Sequence, residues 1–97
     1  MVPQDAVIVD EKDNVATALR DLESGSSVRL DIGDQAVDVA VSQTIPFGHK
    51  FALLDIEPGQ PIVKYGEAIG LATRKILKGA HAHVHNIEGL RGRGDKH

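Results

Sequence analysis

The fold is decided by residues 27–42, whose sequence is SVRLDIGDQAVDVAVS. Successive side chains of a β-strand point to opposite faces, so a half-buried strand carries apolar residues at alternate positions. Such alternation occurs on both sides of Gly33-Asp34, a pair typical of a tight turn. The apolar residues concerned are Val28, Leu30, Ile32, Val37, Val39 and Val41. This stretch therefore predicts a β-hairpin.

Short apolar runs bounded by glycine and proline extend the β pattern outward from the hairpin. They predict further strands at residues 6–9, 50–56, 61–65 and 81–86. Residues 67–78 also fit a short helix, an assignment that Gly70 weakens. No repeated unit is evident along the chain.

One helix is predicted over residues 14–23. Apolar side chains at positions 15, 18, 19 and 22 have helical spacing, and Asp13 or Asn14 can cap the first turn. Ser24-Gly25 then provides an end for the helix. Together the patterns predict a mainly β domain with one short α-helix near residues 14–23.

Composition limits the classes of function. The chain has 97 residues, the length of one domain, of which 41% are hydrophobic and 26% charged. It contains no cysteine, which excludes disulfides, thiolate metal sites and cysteine nucleophiles. Only three aromatic residues are present, too few for the stacking platform of a single-stranded nucleic-acid binder. Without an apolar run of membrane-spanning length or a signal-peptide pattern, we expect a cytoplasmic protein with no membrane segment.

Charge is distributed unevenly between the body and the end of the chain. Residues 1–73 carry a balance of −7, whereas residues 74–97 carry a balance of +4. A basic end on an acidic body indicates an anionic target near the C-terminus, or else a solvated tail. Residues 1–88 are predicted to form the domain, and residues 89–97 a flexible tail rich in glycine and arginine.

The first candidate site is the segment HAHVHN, residues 81–86. On a strand its three histidines share one face, a pattern that suggests metal binding or proton transfer. At about 3.3 Å per residue, His81 and His85 would lie about 13 Å apart, too far to hold one ion together. Two neighbouring histidines of the segment could bind a metal with help from elsewhere. A hydrated polar face is the alternative.

Two further segments carry side chains suited to anions. His49 and Lys50 follow the rigid turn Ile45-Pro46-Phe47-Gly48, and on a regular strand they would face opposite sides. In the tail, Arg91 and Arg93 offer planar guanidinium groups that suit a carboxylate or a phosphate. A polar strand start and a disordered end are the alternatives.

Several complete catalytic patterns are absent from the sequence. It contains neither a glycine-rich phosphate loop before a helix nor a nucleophile elbow. A chain of this length has little room for a deep pocket with a supporting shell of side chains. The sequence therefore predicts part of an active site rather than a complete enzyme.

Four segments in order resemble a known family. They are DNVATAL at residues 13–19, IPFGHKFAL at residues 45–53, IVKYGEAIG at residues 62–70 and HVHN at residues 83–86. Together they resemble the SAF domain at the N-terminal end of the altronate and galactarate dehydratase family, across nearly the whole chain. The resemblance implies the β-clip fold, a long folded-over β-hairpin with short sheets.

The resemblance also implies a function. Members of the family are hydro-lyases that remove water from an aldonic or aldaric acid to give a 2-keto-3-deoxy acid. They use a divalent metal, usually thought to be iron. Here the implied partner is a separate large catalytic subunit that provides most of the metal ligands, and this chain would be inactive alone.

Site residues are carried over from the resemblance position by position. His49, Lys50, His83, His85 and Asn86 are the expected catalytic residues, with His83 and His85 as metal ligands shared with the partner. Arg91 and Arg93 are expected to bind the sugar-acid substrate.

Two alternatives come with the resemblance. The same small-subunit pattern resembles the alpha subunit of sulfolactate sulfo-lyase, which expels sulfite instead of water. SAF domains also occur as carbohydrate-binding or regulatory modules that catalyse nothing. The sequence leaves a homo-oligomer open, and its net acidity and few aromatic residues argue against a nucleic-acid partner.

Overall fold

The protein is a mainly β structure, as the hairpin and its flanking pattern predict. The computed structural model describes residues 5–32 and 35–89, and no helix occurs in those two ranges. Accordingly, no helix among them could cross a membrane. The described strands are β1 (Ala6–Val7), β2 (Val15–Ala18), β3 (Ser27–Ile32), β4 (Gln35–Ala40), β5 (Lys50–Ala52), β6 (Pro61–Lys64), β7 (Glu67–Ala72), β8 (His81–Ala82) and β9 (Ile87–Gly89).

The strands form three antiparallel groups. The order β1-β2-β5-β8 makes a four-stranded sheet, β3-β4 a hairpin, and β6-β7-β9 a three-stranded sheet. The hairpin prediction is confirmed, with pairing that runs from Ser27 opposite Ala40 to Ile32 opposite Gln35. The predicted turn residues 33–34 and the tail beyond Gly89 lie outside the described residues.

The predicted helix at residues 14–23 is wrong, because its first half is the inner strand β2. β2 contributes to both apolar cores, so its residues are buried on both faces: Ala16 and Ala18 pack in one core and Val15 in the other. Burial on both faces gave a run of apolar residues that matched helical spacing by chance. Asn14, one of the two residues expected to cap the helix, instead bonds to a strand: its side-chain oxygen accepts a hydrogen bond from Val63 N at 2.8 Å.

A repeated unit that the sequence does not reveal organises the chain. Four turn units, named units 1 to 4, occupy residues 18–26, 41–49, 52–60 and 72–80. Each has leucine or isoleucine at its fifth position and, at its eighth, a glycine with φ between +83° and +88°. The expectation that no unit repeats is therefore wrong. Only these few positions are shared, and hairpins of different length separate the units.

The turn units bond in reciprocal pairs. In the first pair, Leu22 and Ile45 exchange both backbone hydrogen bonds, at 2.8 and 2.9 Å. In the second pair, Ile56 and Ile76 do the same, each at 2.8 Å. Each glycine also donates its N–H to the first residue of the opposite unit. Residues 18–49 and residues 52–80 thus form two similar halves, each a unit, a hairpin and a second unit.

The two halves meet where β5 pairs with β8. These strands begin directly after units 2 and 4, and they run antiparallel with Lys50 opposite Ala82 and Phe51 opposite His81. Phe51 is fully buried in the first core and Ala82 in the second. This pairing brings the residues around His49 and the residues around His81 together.

Candidate functional site

The histidine-rich segment is a short strand followed by a turn. β8 ends at Ala82, so the prediction of a strand over residues 81–86 is wrong beyond that residue. The Asn86 side chain causes the turn, accepting from His83 N and donating to His81 O, each at 2.8 Å. Asn86 N also donates to His83 O at 3.0 Å. A buried amide that satisfies two backbone groups favours this turn over an extended strand.

Three imidazoles gather at the β5–β8 pair and form what we call the histidine cluster: His49, His81 and His83. The rings of His49 and His83 stack with centroids 4.1 Å apart. His49 Nδ1 lies 2.9 Å from His81 Nε2, a hydrogen-bond distance at which the tautomers of the two rings determine which nitrogen donates. All three residues are half-buried. The cluster therefore combines two halves of the chain into one candidate site.

His85 lies at the edge of the cluster. Its ring centroid is 5.3 Å from that of His81, with the two planes tilted by 40°. The turn brings these residues close, where an extended strand would have separated them by about 13 Å. His85 is exposed and also lines a cavity of about 300 Å³.

The surroundings favour the neutral forms of His81 and His83. Burial, together with the neighbouring charges of His49 and His85, lowers the pKa of His81. Burial also lowers the pKa of His83, and the charges of His49 and Lys50 lower it further. A lowered pKa leaves each imidazole with a free lone pair that can accept a proton or bind a metal ion.

Lys50 reaches the same region from β5. It lines a cavity of about 210 Å³ with His83 and with apolar residues that include Ile69 and Ile87. Burial lowers the pKa of Lys50, the charge of Lys64 lowers it further, and Tyr65 opposes the shift. On a regular strand, His49 and Lys50 would face opposite sides. Both nevertheless reach His83, because His49 stacks on its ring and Lys50 lines the same cavity.

The histidine cluster has the composition of a metal site. One ligand nitrogen from each ring can be chosen so that all three lie within 4.8 Å of one another. Metal–nitrogen bonds of about 2.0–2.1 Å need these nitrogens about 3.4 Å apart, so the stacked rings would have to reorient to bind one ion together. Imidazole ligands suit iron, zinc, copper or nickel better than magnesium or calcium. The donor set therefore fits a divalent transition metal and leaves a coordination position open.

The predicted site residues lie at different positions relative to the histidine cluster. His49, Lys50 and His83 come together, and His85 lies beside them, whereas Asn86 is buried and holds the turn. Arg91 and Arg93 lie outside the described residues. The residues that could bind a metal ion together are His49, His81 and His83, whereas the sequence predicted His83 and His85. Sequence reasoning missed this pairing because it depends on the register between β5 and β8.

We predict that Asn86→Ala lowers the free energy of unfolding by about 2 kcal/mol or more, because two backbone groups lose their partner. Asn86→Asp retains an acceptor for His83 N and should cost less than the alanine variant. Chemical denaturation of both variants measures the difference. Unchanged stability in Asn86→Ala, with activity lost, would make Asn86 a participant in the chemistry rather than a residue that positions His83.

A family model and two curated relatives all connect this chain with altronate or galactarate dehydratases. Residues 4–90 match the family model of the altronate/galactarate dehydratase SAF domain. An altronate dehydratase of Escherichia coli is 47% identical over 74 residues, which make up 76% of this chain and 14% of the relative. An altronate dehydratase of Bacillus subtilis is 41% identical over 80 residues, 82% of this chain and 15% of the relative. This chain thus spans about one seventh of these two relatives.

A shorter relative is matched along most of its length. The (2R)-sulfolactate sulfo-lyase subunit alpha of Chromohalobacter salexigens is 32% identical over 87 residues, covering 87% of this chain and 93% of the relative. The family match covers all of the described residues, including both halves and the histidine cluster. The chain therefore belongs to the altronate/galactarate dehydratase SAF domain family.

Proposed function

We propose that this chain is the small subunit of a sugar-acid dehydratase and supplies the histidine cluster to an active site completed by a separate large catalytic subunit. The reaction removes water from an aldonic or aldaric acid and yields a 2-keto-3-deoxy acid. The observation that carries the proposal is the cluster of His49, His81 and His83 at the β5–β8 pair. The family match and the names of the dehydratase relatives supply the type of reaction.

The geometry of the cluster favours a shared site. Its residues are half-buried, and His83 lines the cavity of about 210 Å³, whereas the neighbouring His85 lines a separate cavity of about 300 Å³. A small-molecule site usually surrounds most of its ligand. The described residues alone offer shallow walls, so a second chain placed over the cluster would enclose the substrate. The sulfo-lyase relative, itself a subunit by name, supports an assembly of this kind.

The side chains beside the cluster suit the proton transfers of a dehydration. A base removes the proton from the carbon next to the carboxylate, and the hydroxyl on the following carbon leaves as water after it gains a proton. The enol that remains then tautomerises to the keto acid. His85, at the edge of the cluster and outside its ligand group, can accept or return a proton at a ring nitrogen, while the Lys50 ammonium in the adjoining cavity stabilises negative charge.

A divalent metal, iron in the family's usual chemistry, fits this proposal. His49, His81 and His83 would hold it from this chain, and the large subunit would provide its other ligands. Bound there, the ion would act as a Lewis acid that stabilises the anionic intermediate. The sequence assigned this role to His83 and His85, and the observed distances favour replacing His85 by His49 and His81.

A second candidate is the alpha subunit of a sulfolactate sulfo-lyase. The observation in its favour is the match along 93% of a relative with that name. The identity is lower, 32% against 47% for the altronate dehydratase of Escherichia coli. We therefore prefer a hydroxyl over a sulfite group as the leaving group.

Product analysis tests the proposal. The chain is produced together with a large altronate-type dehydratase subunit and iron, and the pair is offered altronate, galactarate and sulfolactate. We expect a 2-keto-3-deoxy acid from a sugar acid and no sulfite. Release of sulfite alone would transfer the assignment to the sulfo-lyase. Equal turnover by the large subunit with and without this chain would reduce the chain to a binding or regulatory module.

A further inference from the structure

A second cavity, separate from the one that Lys50 lines, lies between units 2 and 4. It has a volume of about 300 Å³, at the lower end of the range for small-molecule sites. Its polar side chains come from Ser42, Gln43, Arg74, Lys75, His85 and Asn86. None of the described residues that line it is acidic, although the chain as a whole carries a formal charge of −3. We call it the basic cavity.

Hydrogen bonds already formed fix which groups the basic cavity can offer. Gln43 Oε1 accepts from His81 N at 2.9 Å, so the amide nitrogen of Gln43 remains a donor. Both side-chain atoms of Asn86 are occupied by His81 O and His83 N. The side chains that remain to bind a ligand are therefore mainly hydrogen-bond donors and cations.

Among these groups, the guanidinium of Arg74 is the best suited to bind a carboxylate. Among residues 5–32 and 35–89, its guanidinium has neither a hydrogen bond nor an ion pair. Lys75 beside it contacts Glu57 at 3.4 Å, in a pair that is half exposed on both sides. A planar guanidinium with free donors binds a carboxylate through two parallel hydrogen bonds.

His85 connects the basic cavity to the histidine cluster. It lines the cavity, and its ring lies 5.3 Å from that of His81. A ligand whose anionic end contacts Arg74 would thus extend toward the cluster. A hydroxy acid with its carboxylate at one end has this shape.

We propose that the basic cavity is a carboxylate-binding site, in which Arg74 and the Gln43 amide bind the carboxylate and Lys75 adds positive charge. This inference rests on the proposed function for the identity of its ligand, a small hydroxy acid. A carboxylate side chain of the large subunit is the other source of the same chemistry. From the sequence, Arg91 and Arg93 are predicted to bind the substrate. Arg74 is an additional candidate, and it lies within the described residues.

The test is a titration of the isolated chain with gluconate, followed by NMR at the Arg74 side chain and at the amides of Gln43 and Leu77. Gluconamide, which has the same hydroxyls and no charge, is the ligand control. We expect saturable shifts with gluconate alone. Arg74→Gln should weaken gluconate binding by roughly tenfold or more, as expected for a lost charge-assisted hydrogen bond. Arg29→Gln, an exposed arginine on β3, should leave it unchanged.

Each outcome decides between the sources or overturns the site. Gluconate binding with this dependence on Arg74 identifies a free acid as the ligand. If gluconate fails to bind, and Arg74→Gln weakens assembly with the large subunit at least tenfold while Arg29→Gln does not, the carboxylate belongs to that subunit. Equal shifts with gluconamide, or no effect of Arg74→Gln in either assay, would overturn the inference. Turnover by the wild-type pair is measured separately, so this inference can fail while the proposed function holds.

Discussion

Replacing His83 with alanine should lower kcat of the assembled enzyme by about 100-fold or more, because the metal ion would lose a ligand and even supporting residues of metal sites contribute about 10- to 100-fold. His83 stacks on His49 and lies beside Lys50, so its loss removes the centre of the histidine cluster. The side chain is half-buried and belongs to neither apolar core, and the fold should survive the change. Turnover and the free energy of unfolding are measured on the same preparation.

His85→Ala is the informative comparison for this variant. In the isolated chain, His83→Ala should weaken cobalt(II) binding by about 100-fold or more, since even supporting residues of metal sites cost 10- to 100-fold. His85→Ala should weaken it by less than about tenfold, because His85 lies outside the ligand group. Equal losses in the two variants would favour the ligand pair suggested by the sequence. Unchanged turnover in His83→Ala would remove the histidine cluster from the mechanism.

Replacing Gly79 with alanine should be the most destabilising exchange among the glycines of the turn units. A Cβ at Gly79 would lie 2.1 Å from the carbonyl oxygen of Ala40, and the residue has φ +86°. We expect a loss of about 3 kcal/mol or more, combining about 1–2 kcal/mol for the left-handed conformation with the cost of overpacking. For a domain of this size such a loss is a large part of the total stability.

Gly25→Ala is a matched control because Gly25 occupies the same position in unit 1. Its φ is +88°, and a Cβ there would meet no atom within 4 Å. We expect a loss of about 1–2 kcal/mol, from the backbone conformation alone. Urea denaturation of both variants measures the difference. Equal losses would mean that unit 4 does not pack tightly against the end of β4.

The β content of the chain could be predicted because it depends on local patterns. Alternating apolar residues and a glycine turn defined the β3–β4 hairpin, and its pairing agrees with the prediction. The helix prediction failed at β2, where a strand between two cores has apolar residues on both faces. The four turn units could not be predicted, because backbone hydrogen bonds define them and only a few sequence positions are shared between them.

The candidate site could be predicted only in part. The histidines of residues 81–86 were evident, but the strand geometry assumed for them separated His81 from His85. The Asn86 side chain folds this segment into a turn, an effect that alternation of polar residues does not indicate. The contact between His49 and His81 joins residues 32 positions apart through the β5–β8 register. Sequence spacing alone carries no information about such a contact.

The most direct test of the account measures the turnover of a fixed amount of large dehydratase subunit while this chain is added. We predict almost no dehydration without the chain, a rise as it is added, and saturation at a stoichiometric amount. Chain in which His49, His81 and His83 are all replaced by alanine should bind the large subunit and restore less than about 1% of the activity, given the contribution of a single metal ligand. Full activity from the large subunit alone, or full restoration by the triple variant, would contradict the claim that part of the active site lies on this chain.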